Sequence, residues 1–124
     1  MHKYKDAVLE FFGAMRYVED YSIAIDNSAF VCVCWDGYKI VGAGRVVSDL
    51  SRFGFIVDIS VKKAHQNKGI GKQLTKDMVQ ACLDAKVRYI ELSTDPSLPW
   101  LEDFYKKIGF NKVTGSTLME WPRR

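Results

Sequence analysis

At 124 residues the chain is the size of one ordinary domain, too short for two domains or an eight-fold barrel, so a single domain over residues 1–124 is expected. With 48% apolar and 27% charged residues, and seven Phe, six Tyr and three Trp, it can bury a core and is neither fibrous nor disordered. The 18 basic and 15 acidic residues leave a net charge of +3, too little for wholesale binding of a phosphate backbone, so nucleic acid is an unlikely partner while a local anion site stays open.

Cys32, Cys34 and Cys82 are odd in number, form no CxxC and have no His pair beside them. That argues against a disulfide framework or a metal site and for a reducing, cytoplasmic setting. No run of 18 apolar residues occurs and no signal-like stretch follows Met1, so neither a membrane span nor export is expected.

In chain order, Tyr4, Val8, Phe11, Met15 and Val18 recur at three- and four-residue spacing and predict an amphipathic helix over 4–18. The apolar run Phe30 to Trp35 stops at Asp36-Gly37, a dipeptide suited to the positive φ of a hairpin turn, with Tyr38 to Val47 as the returning strand. A polar turn, Ser48 to Ser51, leads into Phe53 to Val61, where Phe53, Phe55, Val57, Ile59 and Val61 are expected on one face and Asp58 and Ser60 on the other. Ile70, Leu74, Met78, Ala81, Cys82 and Ala85 predict a long helix, followed by a strand from Arg88 to Ser93. Asp95-Pro96-Ser97 and Pro99 form a helix-start cluster, after which Leu101, Phe104, Tyr105 and Ile108 make an apolar stripe ended by Gly109. A last strand is expected from about Lys112 to Trp121. The order gives a mixed α+β sheet covered by helices, with a right-handed crossover.

The most informative stretch is Gln66-Asn67-Lys68-Gly69-Ile70-Gly71-Lys72, between the end of a strand and the start of the long helix. A helix N-terminus leaves its first four N–H groups unpaired at the positive end of the macrodipole, and glycines let an anion approach the backbone, so a pyrophosphate is the natural occupant. A bare G-x-G arises by chance about once in two such chains, and Gly42-Ala43-Gly44 is a second instance. Placement between strand and helix is what gives the first one weight. A Walker A loop would need Gly at Gln66 and Ser or Thr at Gln73, and a dinucleotide fingerprint would need a small residue at Leu74; neither fits.

Gln66-Asn67-Lys68-Gly69-Ile70-Gly71 resembles the Q/R-x-x-G-x-G/A signature of the GNAT superfamily of N-acetyltransferases, and Phe104-Tyr105-Lys106-Lys107-Ile108-Gly109-Phe110 resembles that family's aromatic-Tyr-x-x-x-Gly-Phe element. The resemblance covers about Phe30 to Trp121. It implies a mostly antiparallel sheet with a central, splayed parallel strand pair, and acetyl-CoA as cosubstrate without a metal. It further implies that the backbone of Ile59, Ser60 and Val61 binds the pantetheine arm and that Gln66, Asn67, Lys68, Gly69, Ile70, Gly71 and Lys72 hold the pyrophosphate. Leu92 and Ser93 would line the gap between the parallel strands, and Tyr105 would stand near the thioester sulfur. The family's fullest pattern has a strand before the first helix. A shortened member, or an edge covered by a partner chain in a homodimer, would accommodate its absence here.

Acetyl transfer to an amine requires removal of a proton from an ammonium near pKa 10 and protonation of the departing thiolate. Tyr105 is the candidate acid, its alternative being a core tyrosine on the apolar stripe. Asp58 is a candidate base or binder of the substrate's positive charge, its alternative being a partner for Arg45 on the neighbouring strand. Backbone N–H groups near Ile59 to Val61 would meet the developing oxyanion. His65 reads as a solvated loop residue, and Lys62, Lys63, Lys68, Lys72 and Lys76 as a basic rim. Trp35, Trp100 and Trp121 are candidates to line an acceptor pocket, with at least two expected in the core. The expected activity is transfer to a primary amine, small molecule or peptide, by direct attack through a ternary complex. A non-catalytic acyl-CoA-binding or regulatory module is the alternative.

Overall fold

The computed structural model describes residues 4–116 and 118–122, in two compact units, Met1–Leu92 and Ser93–Arg124. The first unit opens with helix α1 (Lys5–Arg16), which buries Val8 and Phe11 of the predicted stripe and also Phe12, while Tyr4 and Val18 are exposed. It stops short of Val18 because Tyr17 turns left-handed (φ 57°) and the Val18 N–H donates to the Gly13 carbonyl at 3.0 Å, which closes the last turn. A short helix that the spacing did not predict, α2 (Ser22–Asp26), follows, its start marked by Asp20 accepting the Ser22 N–H at 2.9 Å.

Strands β1 (Phe30–Asp36), β2 (Lys39–Ser48) and β3 (Phe53–Val61) form an antiparallel meander. Helix α3 (Ile70–Asp84) then crosses back to β4 (Tyr89–Glu91), which pairs parallel with β3, giving the order β1-β2-β3-β4. The fold is thus mixed α+β with a mostly antiparallel sheet. β4 is shorter than the expected Arg88–Ser93, since its pairing with β3 ends at Phe55–Glu91.

Two apolar layers cover the sheet. Val8, Phe11, Phe12, Tyr21 and Ile25 pack with Ile40 and Ala43 and with Val31 and Val33 of β1. The residues on either side of Ala43, Gly42 and Gly44, face α3 instead, where Leu74, Thr75, Met78 and Cys82 are buried, so α1 and α3 lie on opposite faces. Complete burial of a side chain such as Phe12 or Met78 contributes about 2–3 kcal/mol at most.

The single-face expectation for β3 is corrected. Gly54, Ile56 and Ser60 are the buried residues, whereas Phe53 and Phe55 are exposed, and the Phe53 ring stacks with Phe55 and with Tyr89 (ring centroids 6.1 and 5.3 Å). An extra residue at Asp58 resets the alternation, so Ile59 faces α3, on the side opposite Phe53.

In the second unit, Asp95 accepts the N–H and hydroxyl of Ser97 (2.9 and 2.7 Å), and helix α4 (Trp100–Ile108) follows, ended by Gly109 at φ 134°. The strand expected over Lys112–Trp121 is absent among the described residues, and Thr117 lies outside them. Gly115 at φ 75° interrupts extended backbone there, and Val113, Leu118, Met119 and Trp121 are exposed, so no buried face rewards a strand. The indoles also differ from expectation: Trp35, Trp100 and Trp121 are 38%, 60% and 82% exposed. Trp35 lies on an edge strand against Tyr4, and Trp100 packs edge-on to Phe104.

Candidate functional site

The site is built around β3. Its parallel pairing with β4 is confined to Phe53–Tyr89, Gly54–Ile90 and Phe55–Glu91, yet β3 continues to Val61. From Ile56 to Val61, which includes Ile59, Ser60 and Val61, the β4-facing edge has no strand beside it among the described residues. Such an edge presents backbone donors and acceptors to an extended, amide-bearing ligand. Leu92, half-buried, directly follows β4, while Ser93 opens the second unit.

Where β3 ends, a 3-10 turn (Lys63–His65) leads into the Gly-rich loop. The Gln66 side chain donates back to the Val61 carbonyl at 3.0 Å, and His65 Nε2 lies 3.0 Å from Asp36 Oδ2 at the β1–β2 turn. His65 is therefore a tie between two loops, not a solvated residue; its Nδ1 is buried without a hydrogen-bond partner among the described residues. Asn67 and Gly69 are left-handed (φ 63° and 84°), and Gly69 is the N-cap of α3, without a side-chain cap. The first bond into the helix runs from Gln73 N–H to the Gly69 carbonyl at 3.0 Å, so the helix offers no acceptor to the N–H groups of Ile70, Gly71 and Lys72. Open space lies where a Gly69 side chain would stand. Lys62, Lys63, Lys68, Lys72 and Lys76 are exposed, and none is in an ion pair among the described residues. Unpaired amides, a left-handed nest and unpaired lysines together suit a pyrophosphate.

The sheet is shaped at this point by Asp58. Arg45 faces Val57 and Ala43 faces Ser60, so Asp58 and Ile59 together oppose Gly44, and Asp58 adopts φ 58°. A left-handed non-glycine residue costs about 1 kcal/mol, and here three side chains hold it. Asp58 Oδ2 accepts from Tyr21 O–H at 2.6 Å and from Arg45 Nε at 2.8 Å, and Oδ1 lies 3.5 Å from Arg16 Nε. Arg45 also lies over the Tyr21 ring, 5.6 Å from its centroid. Burial alone would push the Asp58 carboxyl up; the hydrogen bonds from Tyr21 and Arg45 and the charges of Arg45 and Arg16 outweigh it and hold the group below the usual carboxylate range. Burial also pushes the Tyr21 phenol up, and the bond to Asp58 adds to that. The cross-strand partnership with Arg45 could be read from the hairpin register, but Tyr21 and Arg16, separated from Asp58 by most of the sheet's sequence, carried no such signal.

In the second unit, Tyr105 sits on α4 with its ring edge-on to Phe104 and Phe110 (5.0 and 5.9 Å). Burial raises its phenol above the ordinary value, and its hydroxyl makes no hydrogen bond among the described residues. No group of three or more His, Cys, Asp or Glu among the described residues could hold a metal, and no described helix is long and apolar enough to cross a membrane.

Comparison with known proteins agrees with this geometry. The chain is 33% identical over 72 residues to the GCN5-related N-acetyltransferase 2, chloroplastic, of Arabidopsis thaliana, covering 58% of this chain and 27% of that protein. It is 29% identical over 101 residues to an uncharacterized N-acetyltransferase of Pyropia yezoensis, covering 78% and 56%. The chain thus spans between about a quarter and just over half the length of these curated relatives. Among solved structures, a GNAT-family acetyltransferase of Streptococcus pneumoniae TIGR4 superposes with a TM-score of 0.76 at 26% identity, over 96% of this chain and 90% of that one. The sequence profile described as the acetyltransferase (GNAT) family matches residues 3–110, and with the short parallel β3–β4 pairing and the Gly-rich helix start it establishes that the chain belongs to the GNAT acetyltransferase family.

Proposed function

We propose that the protein transfers the acetyl group of acetyl-CoA to a primary amine by direct attack within a ternary complex. One observation carries this reading: β3 loses its parallel partner after Phe55 and runs, with no strand beside that edge among the described residues, toward the N-terminus of α3, which has no side-chain cap. The edge from Ile59 to Val61 would bind the pantetheine arm. Gln66 to Lys72 would hold the pyrophosphate, and Leu92 and Ser93 would line the gap. Acetyl-CoA supplies the activated thioester carbonyl; amide donors at the β3 edge are suited to an oxygen gaining charge there.

Proton traffic falls to two groups of different character. Tyr105 keeps its proton at neutral pH, more firmly for being partly buried, and gives it up only as thiolate charge develops. Asp58, engaged by Tyr21 and Arg45 and held at low pKa, is poorly fitted to take a proton from the amine. We assign it to shaping the β3 bulge and assign deprotonation to a water chain. A reducing, cytoplasmic setting accords with three free cysteines.

Calorimetry with acetyl-CoA and measurement of CoA release across an amine panel test the proposal. Tyr105→Phe is expected to lower kcat by about 100-fold while leaving the acetyl-CoA Kd within about twofold. Tight acetyl-CoA binding with no turnover on any amine would instead identify a binding or regulatory module.

A further inference from the structure

We infer that the acceptor is an amine carrying a carboxylate close to its amino group, and that Arg16 receives that carboxylate. The inference rests on the acetyl-transfer reading of the same site and names the acceptor's chemistry.

The argument begins with charge. Around the bulge of β3, Arg16 and Arg45 face one carboxylate, Asp58. Even with roughly half a unit of negative charge at the C-terminal end of α1, where Arg16 stands, the set keeps a positive excess. The two guanidinium groups are not equivalent. Arg45 is committed: its side chain is 15% exposed, its Nε donates to Asp58 at 2.8 Å, and its Nη1 lies 3.3 Å from Ser28 Oγ and 3.5 Å from the Ala24 carbonyl. Arg16 is held loosely, 46% exposed, with its Nε 3.5 Å from Asp58 Oδ1 and no closer partner among the described residues. The next carboxylates along the chain do not neutralise it. Asp20 Oδ1 accepts the Ser22 N–H, and neither Glu19 nor Asp20 is in an ion pair among the described residues.

Position makes this excess relevant to the acceptor. Asp58 immediately precedes the free β3 edge at Ile59–Val61, and both ends of the α1–α2 connection, Arg16 and Tyr21, are tied to it. An amine entering beside Asp58 therefore meets a half-exposed guanidinium whose planar fork matches a carboxylate bidentately. The same positive field disfavours the ammonium form of the amine and so favours the neutral nucleophile. A polycationic acceptor gains nothing from this field and is repelled by it.

Turnover of matched pairs tests the inference: glycine against glycinamide, and L-phenylalanine against L-phenylalaninamide, with O-phosphoethanolamine separating a carboxylate site from a general anion site. The acids are expected to exceed their amides in kcat/KM by about tenfold. Arg16→Gln should bring that ratio within about threefold of unity, with Arg16→Lys intermediate and the acetyl-CoA Kd unchanged. A wild-type ratio near one, a ratio unaltered in Arg16→Gln, or a preference for O-phosphoethanolamine over both acids would overturn it. An independent readout is the Arg16 side-chain Nε–H resonance, titrated with L-phenylalanine and its amide in the absence of acetyl-CoA. A shift with the acid alone supports the inference even if acetyl transfer fails, and no selective shift overturns it even if acetyl transfer holds.

Discussion

Asp58 concentrates three functions in one residue: it supplies the extra position that bends β3, it occupies a left-handed backbone conformation, and its carboxylate joins α1, α2 and β2. Its folded-state pKa is lowered, so between that value and the unfolded value near 3.9 the folded chain binds fewer protons than the unfolded one. The contribution of Asp58 to stability is therefore complete above about pH 4 and is lost as pH falls through the folded value. Asp58→Asn is expected to cost about 2 kcal/mol at pH 7, below the roughly 3–5 kcal/mol of a fully buried pair because both side chains keep some solvent contact. Urea unfolding at pH 7, 5 and 3 checks both statements. The gap between wild type and variant should persist from pH 7 to 5 and narrow by pH 3; a gap independent of pH would mean that the pairing with Arg45 is not what stabilises the bulge.

Among the elements, α3 against β2 and β3 positions the Gly-rich loop, and small residues on the sheet permit it. A Cβ at Gly42 would lie 2.8 Å from Ile70 Cγ2 and 3.3 Å from Leu74 Cδ1, and Ile70 is the first residue of α3. The Gly42-Ala43-Gly44 repeat, which by count alone looks like chance, is thus a seat for the helix. Gly42→Ala is expected to displace the start of α3, costing about 1–3 kcal/mol in urea unfolding and weakening acetyl-CoA severalfold by calorimetry. Gly71→Asp separates electrostatics from packing. Its position is helical, so the fold should survive with a stability loss under about 1 kcal/mol, while a carboxylate among the first-turn amides should raise the acetyl-CoA Kd by at least 100-fold. An unchanged Kd would remove the loop from the site. Gly69 serves this purpose less well, since any side chain there also meets a strained φ of 84°. These elements were legible in the sequence because their signals are local: the 3.6-residue period of Leu74, Met78 and Cys82, the Asp36-Gly37 turn, and the glycines at a strand-to-helix junction. The bulge was not legible, because it depends on Tyr21 and Arg16 reaching Asp58 from distant positions, and the shortness of β4 was hidden because periodicity reports burial rather than pairing.

For the whole molecule, the two compact units raise the question of cooperativity. Ser93–Arg124 is below the roughly 40 residues at which chains without disulfides or metals sustain a fold alone. Its helix α4 spans nine residues and has no buried side chain, and an isolated helix needs about 12–15 residues even to be marginal in water. One cooperative transition is the expected outcome for a chain of this size. The tryptophans report on each unit separately: Trp35 lies in the first, Trp100 and Trp121 in the second. Urea unfolding of a variant retaining only Trp35 and of one retaining only Trp100 should give coincident fluorescence transitions, each matching far-UV circular dichroism of the same variant. A second-unit midpoint lower by more than about 1 M would show instead that the segment carrying Tyr105 melts first. On the proposed assignment, activity would then be lost at urea concentrations where the Gly-rich loop still holds acetyl-CoA.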